Sequence, residues 1–427
     1  MVVDHDRVMG EWSGHRWQDV PRTAALYCDD VRLMESLYMA GECERIYWKN
    51  RDRILRLTGW KWWNGDNPHT VYFTQGVLKR VAPGRRLPAL LSLIERVREL
   101  GGGPSSPVGM LNSLFRASLQ RPLRESTDTM PISRVWRGAR IQAAVRHSTE
   151  YGPSDLWDMR SAFPNALRST WVPRKWRHYT ARMGEGLPDT QAAYVRAIVH
   201  IPWMMYGPLP DVGLHHPNFP TQTFVRGIWE LSELKAAEAV GCTVFVLEYW
   251  TAHYFSQPFA EWGNLVDDLR ESVSPHAKGL VKFAANRYVG RFAMDGHRER
   301  SRHVNGKEVW TVEKGQCLPE SLSVHGMVTG SVRSTLYMEG IHPYPAHFIF
   351  CHTDGVALDM TAYDALGVPP SNHWRPKASM ERLLLISPER YAYDPGVTER
   401  GRWRYVIAGV PEEADRRGFF VKRWAKG

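Results

Sequence analysis

Cysteine is scarce in this 427-residue chain and shows no paired spacing: Cys28, Cys43, Cys242, Cys317 and Cys351 are odd in number and form no C-x-x-C. That excludes a disulfide framework and a thiolate zinc site, and points to reduced, buried thiols in an intracellular protein. His215 and His216 adjoin Pro217 without a third candidate ligand nearby, so no zinc site is expected there either. Long apolar runs are also lacking. The N-terminus, MVVDHDRVMGEW, has no hydrophobic core of a signal peptide, and nothing later reaches membrane-spanning length. A soluble, cytoplasmic protein without a membrane partner is expected. No internal repeat or low-complexity tract is present.

Positive charge is in surplus. There are 55 Lys and Arg against 45 Asp and Glu, a formal +10, which favours a polyanionic partner such as nucleic acid. Tryptophan is plentiful, with 18 residues, and in GWKWWNG (59–65) it interleaves with lysine. That pattern suits base stacking beside phosphate contacts, and equally suits core tryptophans beside a solvated lysine. The length is that of about three domains or subdomains and can bury a core without covalent staples.

Apolar spacing predicts a helix over 22–40 and an amphipathic helix over 87–100. The latter stops at Gly101-Gly102-Gly103 and PSSP, the clearest linker signal in the chain. A helix restarts over 107–119. From about residue 136 the texture is mixed: a strand over 193–203, a helix over 228–241, a strand over 242–250 and an amphipathic helix over 256–273. Ser274 and Pro275 then supply an N-cap and a first helical residue for a helix ending at Gly290, making a helical hairpin.

Three stretches carry candidate chemistry. In FIFCHTDGVAL, two apolar runs flank a small polar group, as in a β-hairpin with Thr353-Asp354-Gly355 at its tip; Asp-Gly is also an ordinary turn pair. In SDLWDMRSAFPNALRS (154–169), Asp158 ends a strand-like run ahead of a turn and helix. That arrangement offers carboxylate oxygens and backbone N–H groups to a Mg²⁺-bound phosphate, or merely caps the turn. On the 275–290 helix, Lys278, Lys282, Asn286 and Gly290 share one face, with Arg270 ending the preceding helix. Alone, that ridge describes a solvated basic face before it describes a triphosphate site.

Taken in order, D-x-x-S-A-F-P (158–164), K-x-x-x-N-x-x-x-G with R-F-A (282–293) and F-C-H-T-D-G (350–355) resemble the three motifs DxxSLYP, KxxxNSxYG and YxDTDS of B-family DNA polymerases. The likeness is greatest to the protein-primed phage and plasmid type. VWRGAR (135–140) resembles the YxGG element before the first motif. ISPERYAY…RWRYVIAGVP (386–411) resembles the late palm hairpin bearing KxY, with Glu389 at the lysine position and Arg390 beside it. The resemblance covers roughly 107–411.

The resemblance implies an α+β right-hand polymerase: an antiparallel palm sheet with helices, helical-hairpin fingers and a small N-terminal region. The implied divisions are 1–103, an N-terminal region with an exonuclease remnant and a basic aromatic segment; 104–254, N-terminal palm with an insertion; 255–292, fingers; 293–411, C-terminal palm; and 412–427, a truncated thumb or tail. LYCDDVRLMESLY would be the last exonuclease helix, with Asp30 near its acid position, and no D-x-E pair opens a complete proofreading site. The implied reaction is template-directed addition of dNTPs to a primer 3′-OH, without 3′–5′ proofreading, with low processivity and error-prone copying. Asp158, Asp354 and the Met159 backbone would hold two Mg²⁺ ions, with Mn²⁺ as a substitute. Lys282 would act on the triphosphate, joined by Ser161, Phe163, Arg270, Lys278, Asn286 and Gly290 at the nucleotide, and the Phe163 ring would exclude a 2′-OH. Trp136, Arg137, Gly138, Thr353, Arg390 and Tyr391 would meet primer-template DNA; a priming or processivity protein is a further implied partner.

Several positions depart from the family pattern. His352 stands where the third motif has its first Asp, and imidazole is no hard Mg²⁺ ligand. Arg287 and Val289 replace the Ser and Tyr of the second motif. These departures keep a second class of function open, a nucleic-acid-binding protein with decayed chemistry. A reverse transcriptase or primase-like enzyme is a third, with the K-x-x-x-N helix against it.

Overall fold

Apolar and polar residues alternate along Tyr194–Ile201, and this strand buries Val195, Ala197, Val199 and Ile201 on one face. The computed structural model of the protein describes residues 85–103, 107–118, 139–145, 147–211, 218–292, 297–304, 307–314, 321–359, 373–396 and 403–407, with short strands before residue 74 and a few single positions. The chain divides into two units. One holds 1–123, 167–169 and 257–319; the other holds 124–166, 170–256 and 320–427.

In the first unit, four helices share a core: Arg86–Glu99, Pro107–Ser118, Phe259–Ser272 and Pro275–Arg291. Phe115 stacks on Phe259 with ring centroids 4.7 Å apart, and Trp262 packs on Tyr288 at 4.9 Å while its indole N–H donates to the Leu111 carbonyl at 3.1 Å. The glycine run joins the first two helices within this unit. Gly101 takes φ +82°, and a Cβ on Gly102 would lie 2.7 Å from the Val97 side chain. The same unit contains a five-stranded sheet in the order Val8–Gly10, Val2–Val3, Ala25–Cys28, Thr70–Phe73, Arg45–Tyr47. A two-stranded hairpin, His297–Val304 with Lys307–Lys314, completes it.

The second unit is built on a five-stranded antiparallel sheet in the order Trp374–Met380, Ser154–Met159, Gly355–Asp359, Phe348–Thr353, Arg140–Ala143. One face buries Phe348, Cys351, Val356 and Leu358 with Val332, Leu336, Tyr337 and Ile341, from the Ser321–Thr335 helix and its π-helical continuation Leu336–Ile341. On the other face, Leu156, Phe350 and Ala357 pack with Leu383, Leu385, Tyr391 and Tyr393. Those last four belong to a second antiparallel sheet, in the order Arg404–Ile407, Arg390–Asp394, Arg382–Ser387, Thr149–Tyr151. A third sheet runs Arg177–Thr180, Thr243–Thr251, Tyr194–Ile201, Thr223–Glu230. Against it lies the Leu231–Ala239 helix, whose Glu233 pairs with the equally buried Arg333 at 2.9 Å. Cys242 and Cys351 are buried free thiols, and among the described residues no helix is long and apolar enough to cross a membrane.

Three local expectations are corrected. Ala25–Cys28 is a strand with a parallel neighbour at Thr70–Phe73, so the 22–40 stretch is not one continuous helix. The helix expected from 228 starts at Leu231, because Ile228, Trp229 and Glu230 pair with Arg196, Val195 and Tyr194 across the sheet. Ser274 sits at the N-cap of its helix without making a side-chain cap bond; its backbone N–H goes instead to Ser92 Oγ at 3.0 Å. Asp30 and the 59–65 segment lie outside the described residues.

Candidate active site

Strand pairing brings two acidic residues, distant in the chain, side by side. Asp158 lies on the Ser154–Met159 strand opposite Gly355, and the next backbone N–H, that of Met159, donates to the Asp354 carbonyl at 2.8 Å. The Asp354 turn is tight. His352 pairs with Gly355, leaving only Thr353 and Asp354 to close the hairpin. The Asp354 N–H donates back to the His352 carbonyl at 2.9 Å while Thr353 takes φ +64°. A bond across one residue at that φ makes a γ-turn, a strained conformation for a β-branched residue. Strand Ser154–Met159 also ends under strain, at Ser161 with φ +47°, before helix Ala162–Ser169. Two of the three positive-φ non-glycine residues among those described thus flank these two acids. Such strain persists only where surrounding structure fixes it.

Gly355 is needed for approach and not for turning. A Cβ there would fall 2.9 Å from Asp158 Oδ1 and 3.2 Å from the Trp157 carbonyl. The Asp158 carboxylate is 13% exposed and faces two cations, Lys377 Nζ at 2.9 Å from Oδ1 and Arg375 Nη2 at 3.8 Å from Oδ2. Arg375 is opposite Asp158 on the edge strand, and Lys377 is the extra residue of a bulge between Pro376 and Ala378. Bulges re-aim side chains in this way.

Asp158, His352, Lys377, Glu389 and Tyr391 line a cavity of about 170 Å³ in the second unit. His352 Nδ1 meets the Thr353 hydroxyl at 2.9 Å, and its Nε2 lies 4.0 Å from Glu389. Burial holds its pKa below the ordinary imidazole value, with Lys377 acting the same way and Glu389 and Asp158 opposing. Tyr391 is buried against the Phe350 ring, with centroids 4.9 Å apart, and burial pushes its phenol upward. Arg390, half-buried on the same strand, pairs with Ile407.

The remaining residues named from the sequence are distributed as follows. Ser161 and Phe163 follow Asp158 directly, and Phe163 packs against the cluster that contains Leu336 and Trp374. Lys278, Asn286 and Gly290 are exposed and Lys282 half-buried on the Pro275–Arg291 helix of the first unit. Its other face buries Ala277, Val281, Ala284 and Tyr288. Val289 is also buried, so the side chain that replaces the motif tyrosine belongs to the helix core. Arg270 lies half-buried near the end of the preceding helix. Trp136, Arg137 and Gly138 lie outside the described residues.

Two neighbours of Asp158 were invisible to sequence reasoning, Lys377 and Arg375. A lysine in WRPKASM has no motif spacing, and only the bulge and register aim it at the carboxylate. Arg140 closes the VWRGAR stretch and begins the Arg140–Ala143 strand. It is fully buried, its guanidinium lies 3.9 Å from the Phe219 ring and donates to the Gly207 carbonyl at 2.9 Å, and burial lowers its pKa to about 10.

The residues present fit a divalent cation only in part. Two carboxylates and a backbone carbonyl are hard oxygen donors of the right kind for Mg²⁺. One of those carboxylates already holds an ammonium, and among the described residues no group of three or more His, Cys, Asp or Glu side chains is placed to hold a metal.

Solved structures of Phi29 DNA polymerase share this fold. The enzyme complexed with single-stranded DNA is 13% identical, with a TM-score of 0.61 over 93% of this chain and 84% of that one. The binary complex with primer-template DNA gives 0.59 at 13% identity, over 84% and 71%. The ternary complex with primer-template DNA and incoming nucleotide gives 0.57 at 13% identity, over 74% of this chain and 62% of that one. The chain thus spans less than two thirds of the polymerase in the ternary complex. The sequence matches no family profile and no curated protein. The fold is mixed α/β and phage-type DNA-polymerase-like, resembling a palm and fingers arrangement.

Proposed function

We propose that this protein is a template-directed DNA polymerase. The observation that carries this is the juxtaposition of Asp158, near the end of its strand, with Asp354, at the turn of the hairpin paired to that strand, each close to a strained backbone position, in a phage-polymerase-like fold. The surplus of basic residues is in keeping with primer-template DNA and dNTPs as partners.

In the proposed reaction the primer 3′-oxygen attacks the α-phosphorus of a dNTP. A new P–O bond forms as the bond to the β-phosphate bridging oxygen breaks, pyrophosphate departs, and the hydroxyl proton passes to solvent. A divalent cation held by Asp158, Asp354 and the Met159 carbonyl would supply Lewis-acid stabilisation of the charge developing on the phosphate. Lys282, with Lys278 and Arg270, would neutralise the triphosphate from the fingers; Ser161 and the following backbone would orient its oxygens. Asn286 and Gly290 would let the nascent pair lie close to the helix, and the Phe163 ring would occupy the space of a ribose 2′-OH. Thr353, Arg390 and Tyr391, with Trp136, Arg137 and Gly138, would contact the primer-template. Catalysis on this scheme comes from positioning and charge stabilisation more than from proton transfer by a side chain.

The proposed enzyme extends mismatched primer ends without removing them and copies with low processivity. The test is primer extension with Mg²⁺ and with Mn²⁺, using four dNTPs and then four rNTPs on DNA and RNA templates. Template-dependent dNTP addition supports the proposal. Excision of a mismatched 3′ end would remove the no-proofreading part alone.

A second function, nucleic-acid binding without catalysis, is favoured by the Lys377 ammonium on Asp158 and by His352 in the place of an acid. Wild-type protein that binds primer-template but adds no nucleotide with any template or metal would establish it.

A further inference from the structure

We propose that the Lys377 ammonium takes the place of one of two divalent cations, so that Asp158 and Asp354 work with a single ion. This rests on the polymerase function above and concerns how its site is charged.

Asp158 is the most enclosed charge in the cavity, and a carboxylate with so little access to water must be matched by a cation. The chain supplies that cation itself. Lys377 Nζ sits 2.9 Å from Oδ1, at hydrogen-bond distance, and Arg375 approaches Oδ2 at 3.8 Å. Lys377 reaches this position because an extra residue is inserted in the edge strand opposite Trp157 and Leu156. Gly355 provides the space on the other side of the same oxygen, so the carboxylate is fitted between a missing side chain and a lysine.

A second ion on Asp158 would need Oδ1, which Lys377 already holds, and would stand beside that positive charge, which repels it. The other side of the turn tells the same way. His352, where the resemblance has an acid, bonds to Thr353 and faces Glu389, and it adds no hard oxygen to the set. An ammonium held at that oxygen brings positive charge to the place where triphosphate and primer terminus converge. It needs no ligand set and no dissolved ion. Lys377 would be a positioning residue: it fixes Asp158 and neutralises one negative charge that would otherwise oppose the phosphates.

The test is electron paramagnetic resonance of Mn²⁺ in the complex of the full chain with a dideoxy-terminated primer-template and the matching dNTP. Wild type is expected to give the six-line spectrum of an isolated Mn²⁺, and Lys377→Arg the same. Lys377→Glu, which replaces the ammonium with a ligand, is expected to hold two ions and give a magnetically coupled spectrum. Lys377→Met is expected to do so at higher Mn²⁺, which guards against a folding defect peculiar to the glutamate. A coupled pair in wild type would overturn the inference, as would an isolated ion in both Lys377→Glu and Lys377→Met. If wild type incorporates dNTPs and shows a coupled pair, only the role of Lys377 falls. If it neither incorporates dNTPs nor retains Mn²⁺, the polymerase function falls and takes this inference with it.

Discussion

The Asp158 carboxylate occupies space that any side chain at residue 355 would need: a Cβ on Gly355 would stand 2.9 Å from Oδ1. The obstacle is a carboxylate pinned by Lys377, and behind it the backbone carbonyl of Trp157 at 3.2 Å. Neither can give way without moving the acid. Gly355→Ala is therefore expected to leave the fold intact and to shift Asp158 by a few tenths of an ångström or more. Misplacement on an ångström scale costs about 10²-fold in rate. Single-turnover incorporation by Gly355→Ala should fall by that order while its thermal midpoint changes little. Wild-type rates in this variant would show that the close approach has no catalytic consequence.

Removing either acid tests the pair directly. Asp158→Asn keeps the size of the side chain but gives up the charge that holds Lys377 and Arg375, and Asp354→Asn keeps the γ-turn backbone. Both variants are expected to reduce primer extension to background and to retain DNA binding, as measured by gel retardation with the same primer-template. Equal loss of binding and extension would mean that the acids serve the fold and not the reaction.

The sequence was most legible where local pattern and tertiary demand agree. The hairpin around Asp354, the helix that starts at Pro275 and the strand leading to Asp158 are all observed. Legibility failed where a neighbour decided. Ile228 and Trp229 carry helix-compatible spacing with the residues that follow, yet edge pairing with Tyr194–Ile201 draws them into a strand. Asp-Gly at 354–355 suggested that glycine serves the turn, whereas the turn strain falls on Thr353 and the glycine serves Asp158. Lys377 could not be found from spacing at all, because a bulge changes which residues face the cavity and depends on a partner strand more than 200 residues away.

Phe163 offers a test of sugar selection. The residue is half-buried and packs against the cluster that contains Leu336 and Trp374, at the start of the helix that follows the Asp158 strand. If it blocks a 2′-OH, Phe163→Ala should raise the relative use of rNTPs by roughly tenfold or more, the scale on which a steric contact separates close analogues. Competition assays with a dNTP and the matching rNTP at fixed ratio provide the measurement. An unchanged ratio would place the discriminating contact elsewhere.

Stability should depend on pH through Glu230. This residue is buried at the junction of the Thr223–Glu230 strand and the Leu231–Ala239 helix, and its Oε2 accepts the Ser232 backbone N–H at 2.8 Å as an N-cap. Burial raises its pKa from 4.5 to about 7; the Ser232 bonds oppose the shift and the nearby Glu233 adds to it. The folded protein therefore holds a proton that the unfolded chain releases at lower pH. The stabilisation is fully present below pH 4.5 and is lost as pH rises through about 7, so this group makes stability fall with increasing pH across that window. The free energy at stake is on the order of 3 kcal/mol. Glu230→Gln keeps an amide in the place of the protonated acid and cannot ionise. Urea midpoints at pH 5 and pH 8 should show wild type losing stability relative to Glu230→Gln as pH rises, with the variant the more stable at pH 8. Parallel pH profiles for the two proteins would show that Glu230 is ionised in the fold throughout.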